Sequence, residues 1–155
     1  MPRLTPSESR RRFSHEPVAR LATVDAAGSP HLVPITFVVV TRPDGGDVLY
    51  SAVDAKPKRS LALRRLANVA ANPRVAVLAD RYDDDWTALW WVRADGTARV
   101  LAGGTHGDEP GTADGESQAA LELLAARYPQ YRSQRPPGPV LAVEIRRWSG
   151  WAGTA

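Results

Sequence analysis

Ten residues in the middle of the chain hold its densest chemistry. Between Lys56 and Arg65 stand five cations, Lys56, Lys58, Arg59, Arg64 and Arg65, with no anion among them. They fall where a strand, Leu49 to Val53, runs through Asp54-Ala55-Lys56-Pro57 into good helix formers, Ser60 to Ala70. The unpaired N–H groups of a helix start and its macrodipole already favour an anion, so Asp or Glu is the usual occupant of a first turn. Cations placed there add little to folding. A ligand phosphate or carboxylate accounts for them, and so does a solvated basic helix face.

Residue types that carry metal, acid–base or nucleophilic chemistry are absent or scattered. No cysteine occurs, which removes disulfides, thiolate metal sites and cysteine nucleophiles. His15, His31 and His106 lie in three different segments and form no pair at metal-ligand spacing. Asp83-Asp84-Asp85 has no calcium-loop pattern around it and reads as a solvated loop. Ser51 and Ser60 have no nucleophile-elbow context, because the chain contains no G-x-S-x-G. Gly103-Gly104-Thr105-His106-Gly107 lacks both the ending of a phosphate loop and the spacing of a dinucleotide fingerprint, and reads as a flexible stretch.

The elements that must position the cationic segment follow from length and pattern. At 155 residues, 43% of them apolar and 24% charged, the chain suits one globular domain with a real core. No apolar run approaches the roughly 18 residues of a membrane span. The opening MPRLTPSESRRRF has cations but no apolar stretch behind them, so the expectation is a cytoplasmic protein with no membrane partner. A net charge of +3, concentrated at one helix entrance without a recognition motif, argues against nucleic acid.

Thr5-Pro6-Ser7-Glu8 has the form of a capping box and predicts a helix from Pro6 to about Phe13. Val18 to Val24 reads as a strand and Asp25 to Ser29 as a turn. His31 to Val40 reads as a second strand with a bulge or an edge at Pro34, which cannot donate to a ladder. A break there frees backbone groups, making Val33, Pro34, Ile35 and Thr36 a floor for a flat ring; a plain edge strand fits equally. Arg42 to Gly46 is a turn, and Val48 to Val53 is the third strand before the helix. Beyond Asn72-Pro73, Arg74 to Asp80 alternates cleanly, and Leu89 to Ala94 with Thr97 to Leu101 predicts a hairpin about Asp95-Gly96. Ala102 to Gly115 reads as a mobile loop, Glu116 to Tyr128 as a helix, and Val140 to Trp148 as the closing strand.

Five tryptophans are many for this length, and four stand in two groups, Trp90-Trp91 and Trp148/Trp151. Neighbours on a strand face opposite ways, so one of Trp90 and Trp91 enters the core while the other meets solvent, a ligand or another subunit. Trp151 is expected on a Gly/Ser-rich tail beyond its strand, where an indole anchors an interface. Short antiparallel strands with inserted helices give an α+β domain, residues 1–155, built on a small barrel with a loop at about 102–115.

The stretches VARLATVDAAGSPHLVPITFVVV and LYSAVDAKPKRSLALRRLANVAANPRVAVLADRYDDDWTALWWVRADGTARV together resemble the flavin/deazaflavin oxidoreductases of the pyridoxamine-phosphate-oxidase-like superfamily, nearest their coenzyme F420-dependent branch. The likeness covers Val18 to Leu101 and, loosely, Ile145 to Trp151; the PHLVP, KPKR, NPRVAVL and DDW…WWVR segments arrive in the family's order. The resemblance implies an FMN-binding-like split β-barrel, mostly antiparallel with flanking helices, that forms a homodimer with its cofactor between the subunits. The cofactor ring would lie near Val33, Pro34, Ile35 and Thr36. Its phosphate-bearing tail would meet Ser51, Ala52, Lys56, Lys58, Arg59 and Ser60, with Trp91 and Trp151 as further cofactor contacts.

The implied activity is hydride transfer between F420 and a small organic substrate, with an FMN-binding oxidoreductase or a non-catalytic carrier as alternatives. A deazaflavin carries the hydride itself, which suits a chain without a catalytic constellation or a metal site. The sequence has no match to the substrate-phosphate residues of true pyridoxamine phosphate oxidases.

Overall fold

A computed structural model of the chain describes residues 2–53, 59–102, 113–136 and 138–154. Its elements run α1 (Pro6–Ser14), β1 (Ala19–Val24), β2 (Pro30–Ile35), β3 (Val38–Thr41), β4 (Asp47–Ala52), α2 (Arg59–Ala71), β5 (Arg74–Arg81), β6 (Trp90–Leu101), α3 (Ala113–Arg127), α4 (Gln130–Ser133) and β7 (Val140–Ala152). The strands form one seven-stranded sheet in the order β2-β1-β5-β6-β7-β4-β3, and every pairing is antiparallel. Its two edge strands are consecutive in the chain, joined by Thr36 and Phe37 alone, so the sheet returns on itself as a barrel. This is the α+β split barrel expected from the sequence.

The local signals explain most of these elements. The Thr5 hydroxyl accepts from the Glu8 N–H and Pro6 opens α1, as a capped helix requires. β5 alternates buried Val75, Val77 and Ala79 with more open neighbours, whereas every residue of β4 is buried. One face of β4 places Leu49 in the barrel core with Phe13, Leu21, Phe37, Val77, Val92 and Leu141. Its other face places Val48, Tyr50 and Ala52 under α3, against Leu121 and Leu124. α2 packs against β1 and β6 and sends Val69 into the barrel core.

Four expectations are corrected. The stretch His31 to Val40 is two strands rather than one, and it breaks at Thr36-Phe37, not at Pro34. Proline is tolerated inside β2 because β2 is an edge strand and one side of it needs no ladder partner. Four strands therefore precede α2. Asp95-Gly96 makes no hairpin: β6 runs straight through, and the register against β7 slips between these two residues. A side chain at Gly96 would strike the Glu144 carbonyl and come within 2.8 Å of Val143, so this glycine permits a close strand approach instead of a turn. Trp151 lies within β7, which extends to Ala152, and not on a tail. α3 starts at Ala113, inside the stretch read as a loop; the rest of that stretch, 103–112, lies outside the described residues.

An ion network ties α3 to the sheet. Arg99 of β6 grips Glu116 of α3 through two bonds of 2.8 and 2.6 Å and reaches Glu144 of β7 at 3.1 Å. Arg42 holds Glu144 at 2.7 and 2.5 Å, and the Tyr50 hydroxyl donates to Glu116 at 2.7 Å. Burial beneath α3 pushes the Tyr50 phenol up to about 12. The Arg99 guanidinium keeps Glu116 below the usual carboxylate range, and Arg42 does the same for Glu144.

A depressed carboxylate stabilises the fold above its unfolded value and loses that contribution as pH falls through the folded one. The protein should therefore lose stability below about pH 4.5. A Glu116→Gln/Glu144→Gln variant should be less stable at pH 7 and show a flatter loss on acidification, measured by urea midpoints across the pH range. Parallel acid profiles for both proteins would remove the network from the account.

Candidate functional site

The seam where the barrel closes is held by side chains from the end of α3, from Tyr128 just beyond it and from α4. Phe37 donates its N–H to the Tyr128 hydroxyl at 3.1 Å. The Phe37 carbonyl accepts from Arg127 Nη1 at 2.5 Å and lies 3.0 Å from the Tyr128 hydroxyl. That hydroxyl is also 2.8 Å from the Pro17 carbonyl, so its single proton is shared between two acceptors. Arg127 Nη2 donates to the Glu16 carbonyl, and the guanidinium lies over the Phe37 ring, 4.7 Å from its centroid. One residue earlier, Thr36 Oγ1 meets the Tyr131 hydroxyl at 2.7 Å.

Along the expected ring floor, Val33 and Thr36 are half-buried, Pro34 is exposed and Ile35 is buried. The β3–β4 register pairs Val38 with Tyr50, which leaves Thr36 and Phe37 at the same end of β4 as Ser51 and Ala52. The two expected groups of contacts thus converge on one end of the barrel. Ser51 faces inward with Leu49, and its Oγ is buried without a hydrogen-bond partner. Lys56 and Lys58 lie outside the described residues, while Arg59 and Ser60 form the first turn of α2.

The cations further along α2 do not stay together. Arg64 is exposed, whereas Arg65 is turned inward and its Nε is buried without a partner. Successive helical residues point about 100° apart, so a pair of adjacent arginines cannot share one outer track. Burial pushes the Arg65 guanidinium below the usual arginine range, with the Tyr131 hydroxyl as the opposing influence. No carboxylate of a described residue bonds to it. A charge taken from water is costly unless it is paired, and among the described residues Arg65 has no carboxylate to pair with.

Asn68, one turn on and on the same inward side, donates to Thr23 Oγ1 at 3.0 Å in a buried bond. His31, opposite Thr23 in the β1–β2 ladder, has a buried Nδ1 without a partner. Sequence reasoning had grouped Arg65 with Arg64 and did not single out Arg127, Tyr128 or Tyr131. The available signal was the pair Arg65 and Asn68, two polar residues three apart on a helix that also presents Leu66 and Val69 to the core.

Trp91 and Trp151 are direct cross-strand partners, and Trp90 is the buried member of its pair. They lie on the outer face of the sheet and line a groove of about 300 Å³ with Arg3, Arg93 and Arg147. Within one chain they are therefore not brought together with Ser51 and Arg65. A second groove, about 510 Å³, opens beside Thr36 and is lined by uncharged side chains including Val18, Tyr128, Gln130, Tyr131 and Gln134. Among the described residues no three His, Asp or Glu side chains gather as metal ligands, and no helix is long and apolar enough to cross a membrane.

The model of the pyridoxamine 5'-phosphate oxidase family matches residues 5–152. Among solved structures, a FAD-binding protein from Mesorhizobium loti is similar with a TM-score of 0.67 at 21% identity, over 96% of this chain and 95% of its own. A FAD binding protein from Mycobacterium smegmatis gives 0.59 at 20% identity, over 97% of each chain. The heme storage protein HutZ from Vibrio cholerae gives 0.61 at 16% identity, over 96% of this chain and 95% of its own. At such identities the likeness establishes the fold. No curated protein matches the chain.

If Arg65 is an unpaired charge held for a ligand, replacing it with an apolar isostere should help the empty protein. Arg65→Met should raise unfolding stability without ligand by about 1 kcal/mol, while abolishing any stabilisation by added phosphate. Chemical denaturation with and without phosphate measures both, and a destabilised Arg65→Met protein would assign the residue to structure instead.

Proposed function

The chain belongs to the pyridoxamine 5'-phosphate oxidase family, and from that membership we propose that it is an oxidoreductase transferring a hydride between coenzyme F420 and a small organic substrate. Arg65 carries this reading: an inward guanidinium without an acid partner among the described residues is suited to an anionic group supplied from outside. The cations Lys56, Lys58 and Arg59 precede it in sequence, and F420 brings both a phosphate and a run of glutamates to meet them. Two neighbours described as FAD-binding favour a flavin, FMN in the first instance, in the same place. The heme storage neighbour favours a carrier without turnover.

The residues present fit an anionic, ring-bearing cofactor. Arg65 and the α2 entrance would take its charge, the unpartnered Ser51 hydroxyl would bond to its tail, and Val33 to Thr36 would floor its ring. When bound, the deazaflavin supplies the hydride chemistry itself. The chain's own part is to orient the ring and exclude water, with the uncharged groove beside Thr36 receiving the substrate. The working unit in this reading is a homodimer, with each cofactor between two subunits.

Titrating the protein with F420, FMN, FAD and heme, followed by absorbance and fluorescence, tests the assignment. F420 should bind tightest, gain affinity with tail length and lose it with added salt. Lys58→Glu should weaken F420 by roughly 1–3 kcal/mol and leave the fold intact. Tighter binding of FMN or FAD than of every F420 species would install the flavin reading, and heme binding without turnover of any acceptor would install the carrier.

A further inference from the structure

The most exposed large side chains of the described residues include Trp86, at 76%, and Tyr82, at 72%. Both belong to the connection between β5 and β6, which also carries Asp83, Asp84 and Asp85. This connection is firmly held. Asp83 accepts from the Asp85 N–H at 2.8 Å, and Asp85 accepts from the Thr87 N–H and hydroxyl at 3.0 and 2.6 Å. The end of the chain clasps it from behind, through Gly153 N–H to the Leu89 carbonyl at 2.7 Å and the Thr154 hydroxyl to the Thr87 carbonyl at 3.0 Å. A side chain at Gly153 would run into the Trp86 carbonyl, so the clasp depends on glycine there. The loop backbone that carries the indole is thus held in place, which lowers the ordering cost to a partner.

The surface that complements it is on the same molecule. Across the outer face of the sheet the ladder aligns Asp80, Trp91 and Trp151 in one row and Pro34, Arg20, Leu78, Arg93 and Ser149 in the next. Arg3 joins the first row through its bridge to Trp151. Arg3 and Arg147 form no ion pair with any described residue, and neither do Asp83, Asp84 and Asp85. Unneutralised carboxylates beside two projecting aromatic rings therefore match, in sign and character, an aromatic groove flanked by unneutralised arginines. Self-complementary patches on one chain are what a two-fold dimer requires.

We propose that the Tyr82–Ala88 loop of each copy seats on the outer sheet face of a second copy, with Trp86 entering the groove lined by the partner's Trp91 and the partner's Trp151, and its aspartates facing the partner's Arg3 and the partner's Arg147. The groove of about 300 Å³ is large enough for one indole. This inference rests on the homodimer of the proposed function and names the contact that makes it. Trp91 and Trp151 then serve the subunit interface directly.

Sedimentation at graded micromolar concentrations tests it on the full chain. The wild-type protein should be a dimer, and Trp86→Ala or Asp84→Arg should raise the dimer dissociation constant at least tenfold. Asp84 makes no side-chain bond among the described residues, so Asp84→Arg should fold normally, with a far-ultraviolet spectrum like the wild type. Arg147→Asp should weaken the dimer likewise, and joining it to Asp84→Arg should recover much of the loss. A wild-type dimer unmoved by all three changes would overturn the loop contact and leave the dimer standing. A wild-type monomer would overturn both.

Discussion

A sheet that closes on itself with one chain crossing the gap leaves two residues without ladder partners, and here they are Thr36 and Phe37. Their backbone groups lie between half-buried and buried side chains and must be satisfied from outside the sheet. Arg127 and Tyr128, at the far end of α3 and just beyond it, do this for the Phe37 N–H and carbonyl, and Tyr131 of α4 holds the Thr36 hydroxyl. The barrel's shape therefore depends on residues about ninety positions away in sequence. The ion network at the start of α3 fixes the other end of the same helix, so α3 spans from the β6–β7 face to the seam.

Two arginine environments within this fold have opposite consequences. Arg99 and Arg42 are fully answered by Glu116 and Glu144, and their charges are spent on holding elements together. Arg65 is the more deeply sheltered and has no such answer among the described residues. Internal pairing and an unmet charge are distinguishable only when partners are known, which is why charge alone could not separate a binding cation from a solvated one.

Much of the architecture was legible because it rests on local chemistry. The Thr5 cap, the glycine turns at Gly28 and Gly45 and the alternation of β5 are each specified within a few residues. The errors share a cause. Gly96 looked like a turn because its requirement, room for the Glu144 carbonyl, comes from a strand nearly fifty residues on. Pro34 left a bulge and an edge strand both open, and the sheet order decides for the edge. Near the candidate site, the end of β4 ahead of the cationic stretch could be read from the sequence. The inward turn of Arg65 and the tyrosines of the seam could not, since helix orientation against β1 and the return of α4 are tertiary facts.

The double burial of β4 sets it apart from β2 in local stability. β4 is hydrogen-bonded to β7 on one side and β3 on the other and covered on both faces, so its amides exchange with solvent only in the rarest, most global openings. β2 is an edge strand with Pro34 exposed and a single ladder neighbour, the kind of element that opens at lower free energy than a central strand. A ring lying on β2 would be admitted and released by breathing of that one strand, at a fraction of the unfolding free energy. Ser51 and Ala52 would keep their positions throughout, as a fixed datum against which each arriving ligand is registered.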